Sequence, residues 1–370
     1  MKAVAVFPAV KSIRLIHIPE PVIQKAWDVK VRMLEVGICG TDKDIAHFHY
    51  GTPPAGSDHL VLGHESLGEV IETGHGVKSF KKGDLAVLMV RRPCTLGNCV
   101  ACAAGRQDFC YSGAYSERGI KEADGFLTEF VVDDEKYLIK IPSALRNVGV
   151  LTEPLTIAEK ALEQLFDIQE RLPWGCRQAQ RENGDFCHTA VVLGAGPVAL
   201  LGAMLLISNG FKTFVYSRGD ENDAKALLVK SIGGEYVSSE KMTPEQLAAK
   251  TGNIDVVYEA TGAAQISFEV MKVLGTNGVF IFTGVPGLKG EIELDASLIM
   301  KNLVLKNQAV YGTVNAGRKD FEAAVKDLAR FVERWPKETR AIITARHPLE
   351  KAPELLLDPP PGIKHVIKLV

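Results

Sequence analysis

Residues 189–210 read TAVVLGAGPVALLGAMLLISNG, and this stretch indicates how the second half of the chain folds. An apolar run leads into a glycine turn, and a second apolar run ends at Asn209-Gly210, a pair that is common at helix C-termini. The pattern therefore predicts a buried strand, a tight turn and a buried helix in succession.

The same alternation continues downstream. The segments KTFVYSRGD, IDVVYEATG and GVFIFTGVP predict three further strands. In MTPEQLAAKTG, Thr243 and Pro244 are typical of a helix N-cap and of a first helical position. Strands that alternate with helices form a parallel, doubly wound sheet. We therefore predict an α/β domain of the Rossmann type over residues 189–313.

The glycine turn has the spacing of a dinucleotide-binding loop, because the residues from Gly194 onwards fit G-x-G-x-x-A. The first glycine permits the tight turn, and the second lets the backbone approach a pyrophosphate. The following helix adds free N–H groups and the positive end of its dipole. A plain strand–helix turn is the alternative. We predict dinucleotide contacts from Gly194, Ala195, Gly196, Pro197 and Val198.

The end of the next strand bears on which dinucleotide binds. NAD-binding domains usually carry Asp or Glu there, bonded to the ribose hydroxyls, whereas this chain has Ser217 followed by Arg218. A serine can donate a hydrogen bond to a 2′-phosphate, and an arginine can pair with its charge. We predict that NADP is preferred, with NAD as a second acceptor. Asp220 and Glu221 nearby weigh against this prediction, and a solvated turn arginine is the alternative.

Residues 1–188 have a different character. The segments DVKVRMLEVGICG, LGEVIETG, DLAVLMV and FLTEFVVDD are short strands between glycine and proline turns, which predicts an antiparallel β domain. TEPLTIAEKALEQLFDIQERL then has helical spacing, and the polar residues 173–188 predict a loop into the next domain. We expect residues 314–370, with a long helix and the strand IKHVIKLV, to complete the first domain.

Composition excludes several classes of protein. The chain has 370 residues, 46% of them hydrophobic and 24% charged, with a formal net charge of −2. This balance does not suit a protein that coats nucleic acid or an acidic membrane surface. No apolar run approaches the ~20 residues of a membrane span. The N-terminus reads as a strand and not as a signal peptide, so we expect a cytoplasmic protein without nucleic-acid or membrane partners.

Four of the seven cysteines cluster in RRPCTLGNCVACAAGRQDFC. An odd number of cysteines without a secretory signal favours metal binding over disulfides. Four thiolates on one glycine-containing loop can close a tetrahedral zinc site, and such closed sites are structural. Free thiols or two disulfides are the alternative. We predict a structural Zn²⁺ held by Cys94, Cys99, Cys102 and Cys110.

A fifth cysteine, Cys39 in GICGTD, precedes the stretch GHESLGEVIETGHGV. That stretch fits G-H-E-x2-G-x5-G-x2-V through His64 and Glu65, and the chain therefore resembles the zinc-dependent medium-chain dehydrogenases over essentially its whole length. GICGTD, LVLGHE, VRRPC, LTEPLTIAEKALE, YEATG and GTVNAG are similar to one branch, the archaeal-type glucose dehydrogenases. Taken alone, His64 and Glu65 would be a buried hydrogen-bonded pair, and Thr41 with Asp42 an N-cap.

The resemblance implies a GroES-like domain followed by a Rossmann domain, and a catalytic zinc held by Cys39, His64, Glu65 and Glu153. Zn²⁺ with a Cys39 thiolate, a neutral His64 and a Glu153 carboxylate is formally neutral, as in the Cys2His sites of alcohol dehydrogenases. A direct bond from Glu65 would give the site a net negative charge, and zinc would then polarise an alcohol less strongly. We therefore expect Glu65 to lie beside the metal or to exchange with water or substrate.

The implied activity is oxidation of the anomeric carbon of an aldose to a lactone, with zinc as Lewis acid and Thr41 receiving the hydroxyl proton. The resemblance points to Thr41, Glu117, Glu153 and Asn315 as sugar contacts. It also points to cofactor contacts from Asn315, Thr261, Gly262, Phe282, Thr283 and Val285. The alternatives are a surface charge for Glu117, a turn asparagine for Asn315, and ordinary strand-end turns for the rest.

Two departures from the family pattern stand out. Four residues separate the first two clustered cysteines where relatives often have two, and the loop over residues 173–188 leaves Cys176 and Cys187 unassigned. Two other functions compete with the glucose reaction. A sorbitol- or threonine-type zinc dehydrogenase would use the same scaffold, whereas a non-catalytic NADPH-binding redox sensor would be expected to have lost the metal ligands. We also expect a homo-oligomer, a tetramer or a dimer.

Overall fold

The computed structural model describes residues 1–174, 188–287 and 290–370. The chain divides into two compact units, one formed by Met1–Thr156 with Asn315–Val370 and the other by Ile157–Val314. The sequence-based boundaries at 188 and 313 differ from the first of these divisions, because one continuous helix carries the chain across position 156. Cys176 and Cys187 lie outside the described residues.

The first unit is built mainly from antiparallel strands. A three-stranded sheet has the order β2-β1-β4, and a larger sheet has the order β11-β6-β5-β3-β19-β18 with β10 also paired to β3. A small third sheet has the order β7-β8-β9. The strands are β1 (Lys2–Phe7), β2 (Ser12–His17), β3 (Asp28–Gly37), β4 (Leu60–Val61), β5 (Glu65–Thr73), β6 (Leu85–Leu88), β7 (Arg91–Arg92), β8 (Ser116–Arg118), β9 (Glu122–Ala123), β10 (Phe130–Asp134), β11 (Leu138–Ile141), β18 (Ile343–Pro348) and β19 (Lys364–Lys368).

Strand β3 is the centre of the larger sheet. It pairs antiparallel with β5, β10 and β19. Nearly every residue of β3 is buried, including the charged Asp28, Lys30 and Glu35. The pairing of β19 with β3 joins the end of the chain to the first unit.

The helices of the first unit are α1 (Gly40–Ala46), α2 (Val100–Ala103), α9 (Arg318–Arg334), α10 (Pro336–Ala341) and α11 (Ala352–Leu357). The long helix α9 packs Phe321, Ala324, Leu328 and Phe331 against its own unit and exposes its polar face. Helix α3 (Thr152–Gln169) begins in the first unit and continues into the second.

The second unit contains a six-stranded parallel sheet of order β14-β13-β12-β15-β16-β17. Its strands are β12 (His188–Leu193), β13 (Phe211–Ser217), β14 (Glu235–Ser238), β15 (Val256–Glu259), β16 (Val279–Phe282) and β17 (Ala309–Gly312). Its helices are α4 (Pro197–Ser208), α5 (Ala224–Ser231), α6 (Pro244–Thr251), α7 (Ala264–Lys272) and α8 (Ala296–Leu305). The chain winds outwards from β12 in both directions, which is the Rossmann arrangement.

The segment 189–210 folds as predicted. Strand β12 is the central strand, and helix α4 is buried from Ala199 to Ile207, so its apolar residues face protein on all sides. Gly210 closes the helix with a left-handed backbone (φ +82°). Thr243 caps α6 through Gln246, also as predicted. The predicted α/β class, with a β domain and a doubly wound sheet, is confirmed.

Candidate active site

Cys39 lies at the N-terminus of α1. It has an extended backbone (φ −101°, ψ 164°) and is the N-cap, and its N–H donates to Oδ2 of Asp42 at 2.9 Å. The prediction that Thr41 and Asp42 form the N-cap is therefore wrong. The helix begins earlier, at Gly40, because the Asp42 carboxylate in the first turn reaches back to the N–H of Cys39.

The same carboxylate orients His64. Asp42 is fully buried, and its Oδ1 lies 3.2 Å from Nδ1 of His64 and accepts the N–H of Gly63 at 3.3 Å. Burial favours the neutral acid, but the His64 charge and hydrogen bond outweigh burial and lower the pKa of Asp42. Since a carboxylate only accepts hydrogen bonds, Nδ1 carries the proton. Nε2 of His64 is then left for a metal.

Three predicted ligands come together. Sγ of Cys39, a ring nitrogen of His64 and a carboxylate oxygen of Glu65 all lie within 4.8 Å of one another. The Thr41 hydroxyl is 4.0 Å from the Cys39 sulfur. A thiolate, an imidazole and carboxylates within such a radius form a donor set that suits Zn²⁺. The residues present therefore fit the predicted zinc.

Glu153, the fourth predicted ligand, does not join the other three within that distance. It lies in the first turn of α3 and is buried. Burial, with a smaller contribution from the charge of Glu65, raises the pKa of Glu153 to about 7, although His64 and Lys364 act in the opposite direction. Its carboxyl group is thus in electrostatic contact with the cluster and is poised between its two protonation states near neutral pH.

Lys364 is a member of this site that the sequence did not reveal. Its Nζ forms an ion pair with Oε2 of Glu65 and donates to the carbonyl of Ile38 at 2.9 Å. Burial disfavours the ammonium, but Glu65 and Cys39 outweigh burial and raise the pKa of Lys364. Gly37 lies opposite Glu65 in the β3–β5 ladder, and a Cβ there would be 2.8 Å from Cε of Lys364. The absence of a side chain at Gly37 makes room for the pair.

Backbone packing fixes the loop before His64. Gly63 has φ +89° and Gly119 has φ +74°, a region that favours glycine. A Cβ on Gly119 would lie 2.5 Å from the carbonyl oxygen of Gly63. That oxygen also accepts the N–H of Phe126 at 2.8 Å, and Gly125 packs against it. The segment that follows Glu117 is therefore seated directly on the segment that presents His64.

The sulfur atoms of Cys94, Cys99, Cys102 and Cys110 lie within 4.8 Å of one another, as the predicted structural zinc requires. All four are free thiols, so the alternative of two disulfides is not realised. Burial opposes ionisation of Cys110, but hydrogen bonds from Ser112 and Cys102 lower its pKa to about 6. The wider spacing of the first two cysteines does not prevent the four thiols from converging.

Glu117 and Asn315, the predicted sugar contacts, form a hydrogen bond with each other. Nδ2 of Asn315 donates to Oε1 of Glu117 at 2.6 Å, and Asn315 has a left-handed backbone (φ 59°). Arg91, directly opposite Glu117 in the β7–β8 ladder, places Nε at 3.0 Å and Nη2 at 2.9 Å from the same oxygen. Glu117 is thus a buried carboxylate and not a surface charge.

The predicted dinucleotide residues of the second unit lie at the carboxyl ends of its strands. Gly194 (φ +102°) follows β12, and Gly196 is the N-cap of α4. A Cβ on Gly194 would lie 2.7 Å from Cγ2 of Thr261, so two of these loops are in contact. Phe282 ends β16 and is followed by Thr283 and by the exposed Val285. This crevice is where doubly wound sheets bind ligands.

Glu259 ties two of these loops together, and sequence reasoning missed it. It is buried at the end of β15, and its Oε1 accepts the N–H groups of Thr261 (2.6 Å) and Gly262 (2.8 Å) and the Thr261 hydroxyl (2.7 Å). Its Oε2 accepts the N–H of Gly284 at 3.1 Å, and its backbone carbonyl accepts the Thr283 hydroxyl at 2.6 Å. One residue therefore holds the loops after β15 and β16.

Ser217 ends β13, and Arg218 is exposed beside it. The Tyr236 hydroxyl donates to the carbonyl of Arg218 at 2.7 Å and fixes the backbone of this turn. Asp220, whose charge weighs against a phosphate, pairs with Lys241 at 3.0 Å. The local negative charge is therefore partly compensated, and the guanidinium of Arg218 faces solvent at the strand end.

Comparisons with known proteins identify the family of the chain. Residues 25–143 match the alcohol dehydrogenase GroES-like domain, and residues 146–369 match the glucose dehydrogenase C-terminus. The second match alone spans more than half of the chain. The chain belongs to the glucose dehydrogenase family. Membership in the glucose dehydrogenase family confirms the resemblance to the zinc-dependent medium-chain dehydrogenases and the GroES-like and Rossmann folds, and it makes the chain an oxidoreductase.

Relatives in the glucose dehydrogenase family match along the full length. Glucose 1-dehydrogenase of Methanocella arvoryzae is 38% identical over 370 residues, which cover 100% of this chain and 99% of that protein. The glucose dehydrogenase of Haloferax mediterranei, solved with NADP, Zn and gluconolactone, superposes with a TM-score of 0.87 at 32% identity and covers 100% and 99% of the two chains. Galactitol-1-phosphate dehydrogenase of Escherichia coli, at 20% identity, TM-score 0.79 and full coverage of both chains, shares the fold.

Proposed function

We propose that the protein oxidises C1 of an aldose, D-glucose before galactose or xylose, to the lactone with NADP as hydride acceptor. The observation that carries this proposal is the convergence of Cys39, His64 and Glu65. It occurs in a chain 32% identical to a glucose dehydrogenase solved with NADP, Zn and gluconolactone.

Cys39 and His64 would hold the catalytic zinc, with Glu153 as the third charge-balancing ligand and Glu65 exchanging with water or substrate. The metal, when bound, supplies a Lewis acid that lowers the pKa of the sugar C1 hydroxyl. Asp42 holds the His64 ring in the tautomer that leaves Nε2 free. Lys364 would offer Glu65 a cationic partner whenever Glu65 does not bind the metal. The structural zinc would occupy the four clustered thiols.

Thr41 is positioned to receive the C1 hydroxyl proton, because its Oγ1 lies 4.0 Å from the Cys39 sulfur. NADP, when bound, would supply the acceptor for the C1 hydride, so the sugar would lose one proton and one hydride in total. Thr41→Ala should retain zinc but lose most turnover, whereas Thr41→Ser should retain both because it keeps the hydroxyl. Full activity in the alanine variant would exclude Thr41 as the proton acceptor.

Glu117 and Asn315 would recognise the sugar hydroxyls. Glu117 Oε1 already accepts from Arg91 and Asn315. A sugar hydroxyl could donate to the second carboxylate oxygen, Oε2. A site with a buried acceptor rejects analogues that lack the matching hydroxyl. The KM values of a series of deoxyglucose analogues should therefore identify the sugar hydroxyl that donates to Glu117.

NADP preference would come from Ser217 and Arg218, with Gly194, Ala195, Gly196, Pro197 and Val198 at the pyrophosphate. Thr261, Gly262, Phe282, Thr283, Val285 and Asn315 would complete the cofactor contacts. Arg218→Ala should raise KM for NADP about tenfold or more and leave KM for NAD nearly unchanged, because only NADP carries the 2′-phosphate. Equal changes for both cofactors would contradict this assignment.

A substrate panel with both cofactors tests the whole proposal. Glucose, galactose, xylose, sorbitol, threonine and simple alcohols are each assayed with NADP and with NAD. A higher kcat/KM for sorbitol or threonine than for glucose would favour the polyol or threonine type. No turnover of any alcohol together with NADPH binding would favour the redox sensor. Metal analysis should find about two zinc ions per chain.

A homo-oligomer, a dimer or a tetramer, is also proposed. Strand β17 is an edge of the six-stranded sheet. The neighbouring helix α8 exposes Met300, Val304 and Leu305 at 67%, 73% and 69%. Such an apolar face next to a free edge suits a second copy of the chain. Val304→Asp should lower the molar mass measured by light scattering towards that of the monomer.

We also propose a cytoplasmic location, because reduced cysteines that bind zinc are typical of a reducing compartment.

A further inference from the structure

Arg91 connects the clustered cysteines to Glu117. We name residues 94–110 the cysteine lobe. The Arg91 guanidinium is buried, contacts Glu117 through Nε and Nη2, and donates through Nη1 to the backbone carbonyl of Asp108 at 3.0 Å. Its flat face stacks on Tyr115, with Cζ 3.7 Å from the ring centroid. One planar group thus bonds to both the lobe and the carboxylate.

The lobe contacts the second sugar residue as well. Asn315, which donates to Glu117, is followed two residues later by Gly317. A Cβ on Gly317 would lie 3.1 Å from Oδ1 of Asp108 and 3.5 Å from Nε of Arg106. The lobe is therefore in contact with the backbone beside Asn315 and with the arginine behind Glu117.

Asp108 is connected to the thiols through the backbone of its turn. Asp108 lies in the turn Gln107–Phe109, directly before Cys110, and Gln107 and Asp108 are buried. The backbone around it is held by Arg106 N–H to the Ala101 carbonyl at 2.8 Å and by Cys110 N–H to the Gln107 carbonyl at 3.1 Å. Four thiols gathered on one ion would fix both ends of this turn. Without that ion, only these backbone hydrogen bonds would hold the turn whose carbonyl receives Arg91.

We propose that the cysteine lobe, acting through Arg91, positions Glu117 for a sugar hydroxyl. The affinity for sugar then depends on whether the four thiols hold their zinc ion. Arg91 is a positioning residue in this arrangement. The inference rests on the proposed function, in which Glu117 binds the sugar. It gives the four cysteines, which otherwise brace only their own loop, a part in substrate recognition.

Arg91→Lys is the first test, because a lysine keeps the charge but has one donor centre and cannot bridge Glu117 and Asp108. We expect KM for glucose and Kd for gluconolactone, measured by calorimetry, to rise about tenfold to 100-fold. Zinc content, KM for NADP and kcat (within about threefold) should stay unchanged. Arg92→Lys is the matched control, since Arg92 pairs with Asp133 and not with Glu117.

The second test is a double-mutant cycle between Arg91→Lys and Cys110→Ser, with Cys94→Ser as a second lobe variant if the first is insoluble. Cys110→Ser should reduce zinc from about two to about one per chain and weaken lactone binding. Because both changes break the same connection, Cys110→Ser should weaken binding less than about threefold further in the Arg91→Lys background.

The outcomes separate this inference from the proposed function. If Glu117→Gln leaves lactone affinity unchanged, the assignment of Glu117 to the sugar is wrong. If Glu117→Gln weakens lactone binding but Arg91→Lys does not, the lobe does not act through Arg91. The same conclusion follows if the loss of affinity in the double variant equals the product of the losses in Arg91→Lys and in the lobe variant. Either result overturns only the present inference.

Discussion

Lys364 and Glu65 form an ion pair in which the side chains are 2% and 1% exposed. The two residues lie on different strands, β19 and β5, that flank β3 and meet across Gly37. Desolvating two charges costs several kcal/mol each, so this pair is retained for a reason other than net stability. Glu65 of this pair lies beside Cys39 and His64, so the pair fixes the charge that faces the proposed metal site.

Lys364→Met should destabilise the chelator-treated protein by about 3–5 kcal/mol, because Glu65 would remain buried without a counter-charge. Adding Glu65→Gln should recover most of this loss, since both charges are then gone. Urea unfolding of the single and double variants measures the effect. Lys368→Met, an exposed site on the same strand, serves as the control. A double variant as unstable as Lys364→Met would show that packing, and not the charge, is responsible.

Asp42→Asn should lower zinc affinity about 10- to 100-fold, because the neutral amide no longer fixes the His64 tautomer. Competition with a chromogenic chelator measures this affinity. Asp44→Asn, on the exposed side of α1, should leave it unchanged. An affinity within twofold of the wild type in Asp42→Asn would mean that the protein backbone alone orients His64.

Glu259→Gln should raise KM and Kd for NADP about tenfold. Glu259 accepts four hydrogen bonds from Thr261, Gly262 and Gly284, and an amide must turn its NH2 towards some of these donors. Zinc content should not change. Glu240→Gln, exposed in the same unit, is the control. Unchanged NADP binding in Glu259→Gln would show that the two loops hold their shape without the carboxylate.

His365 should make stability depend on pH. Burial lowers the pKa of His365 below its ordinary 6.5, and His347 and two lysines act in the same direction, while a hydrogen bond to the Pro360 carbonyl opposes them. The unfolded chain therefore binds this proton first as the pH falls below 6.5. The contribution of neutral His365 to the free energy of unfolding is complete above that pH. It is lost progressively as the pH falls to the pKa of His365 in the folded state.

The measurement is the difference in unfolding free energy between wild type and His365→Gln from about pH 8 to about pH 5. The wild type should lose stability relative to the variant over the lower part of this range. A difference that is constant across the range would show that His365 ionises equally in both states.

The sequence revealed most where the determinants are local. The strand, turn and helix of residues 189–210 follow from apolar spacing and two glycines, and the four clustered cysteines are close neighbours in the chain. Cys39, His64 and Glu153 were connected only by resemblance to a family, because their separations in sequence carry no geometric information.

The remaining parts of the site depend on long-range contacts. Lys364 reaches Glu65 from 299 positions away along the chain (364 minus 65), and only its presence inside the apolar strand IKHVIKLV could have drawn notice. The acceptor for Arg91 is a backbone carbonyl, which every residue possesses, so no residue type indicates it. The N-cap at Cys39 was missed because Asp42 reaches back from inside the helix.

The glycine contacts around His64 have a consequence for the sequences that this site tolerates. Gly63, Gly119 and Gly125 bear no functional group, yet their backbones touch and two of them need a left-handed conformation. In a saturation-mutagenesis library of cells whose growth requires the enzyme's activity, variants at these positions should be depleted as strongly as variants at His64. A catalogue of intolerant positions would then identify three residues that take no part in the chemistry, and backbone geometry alone would separate them from the ligands.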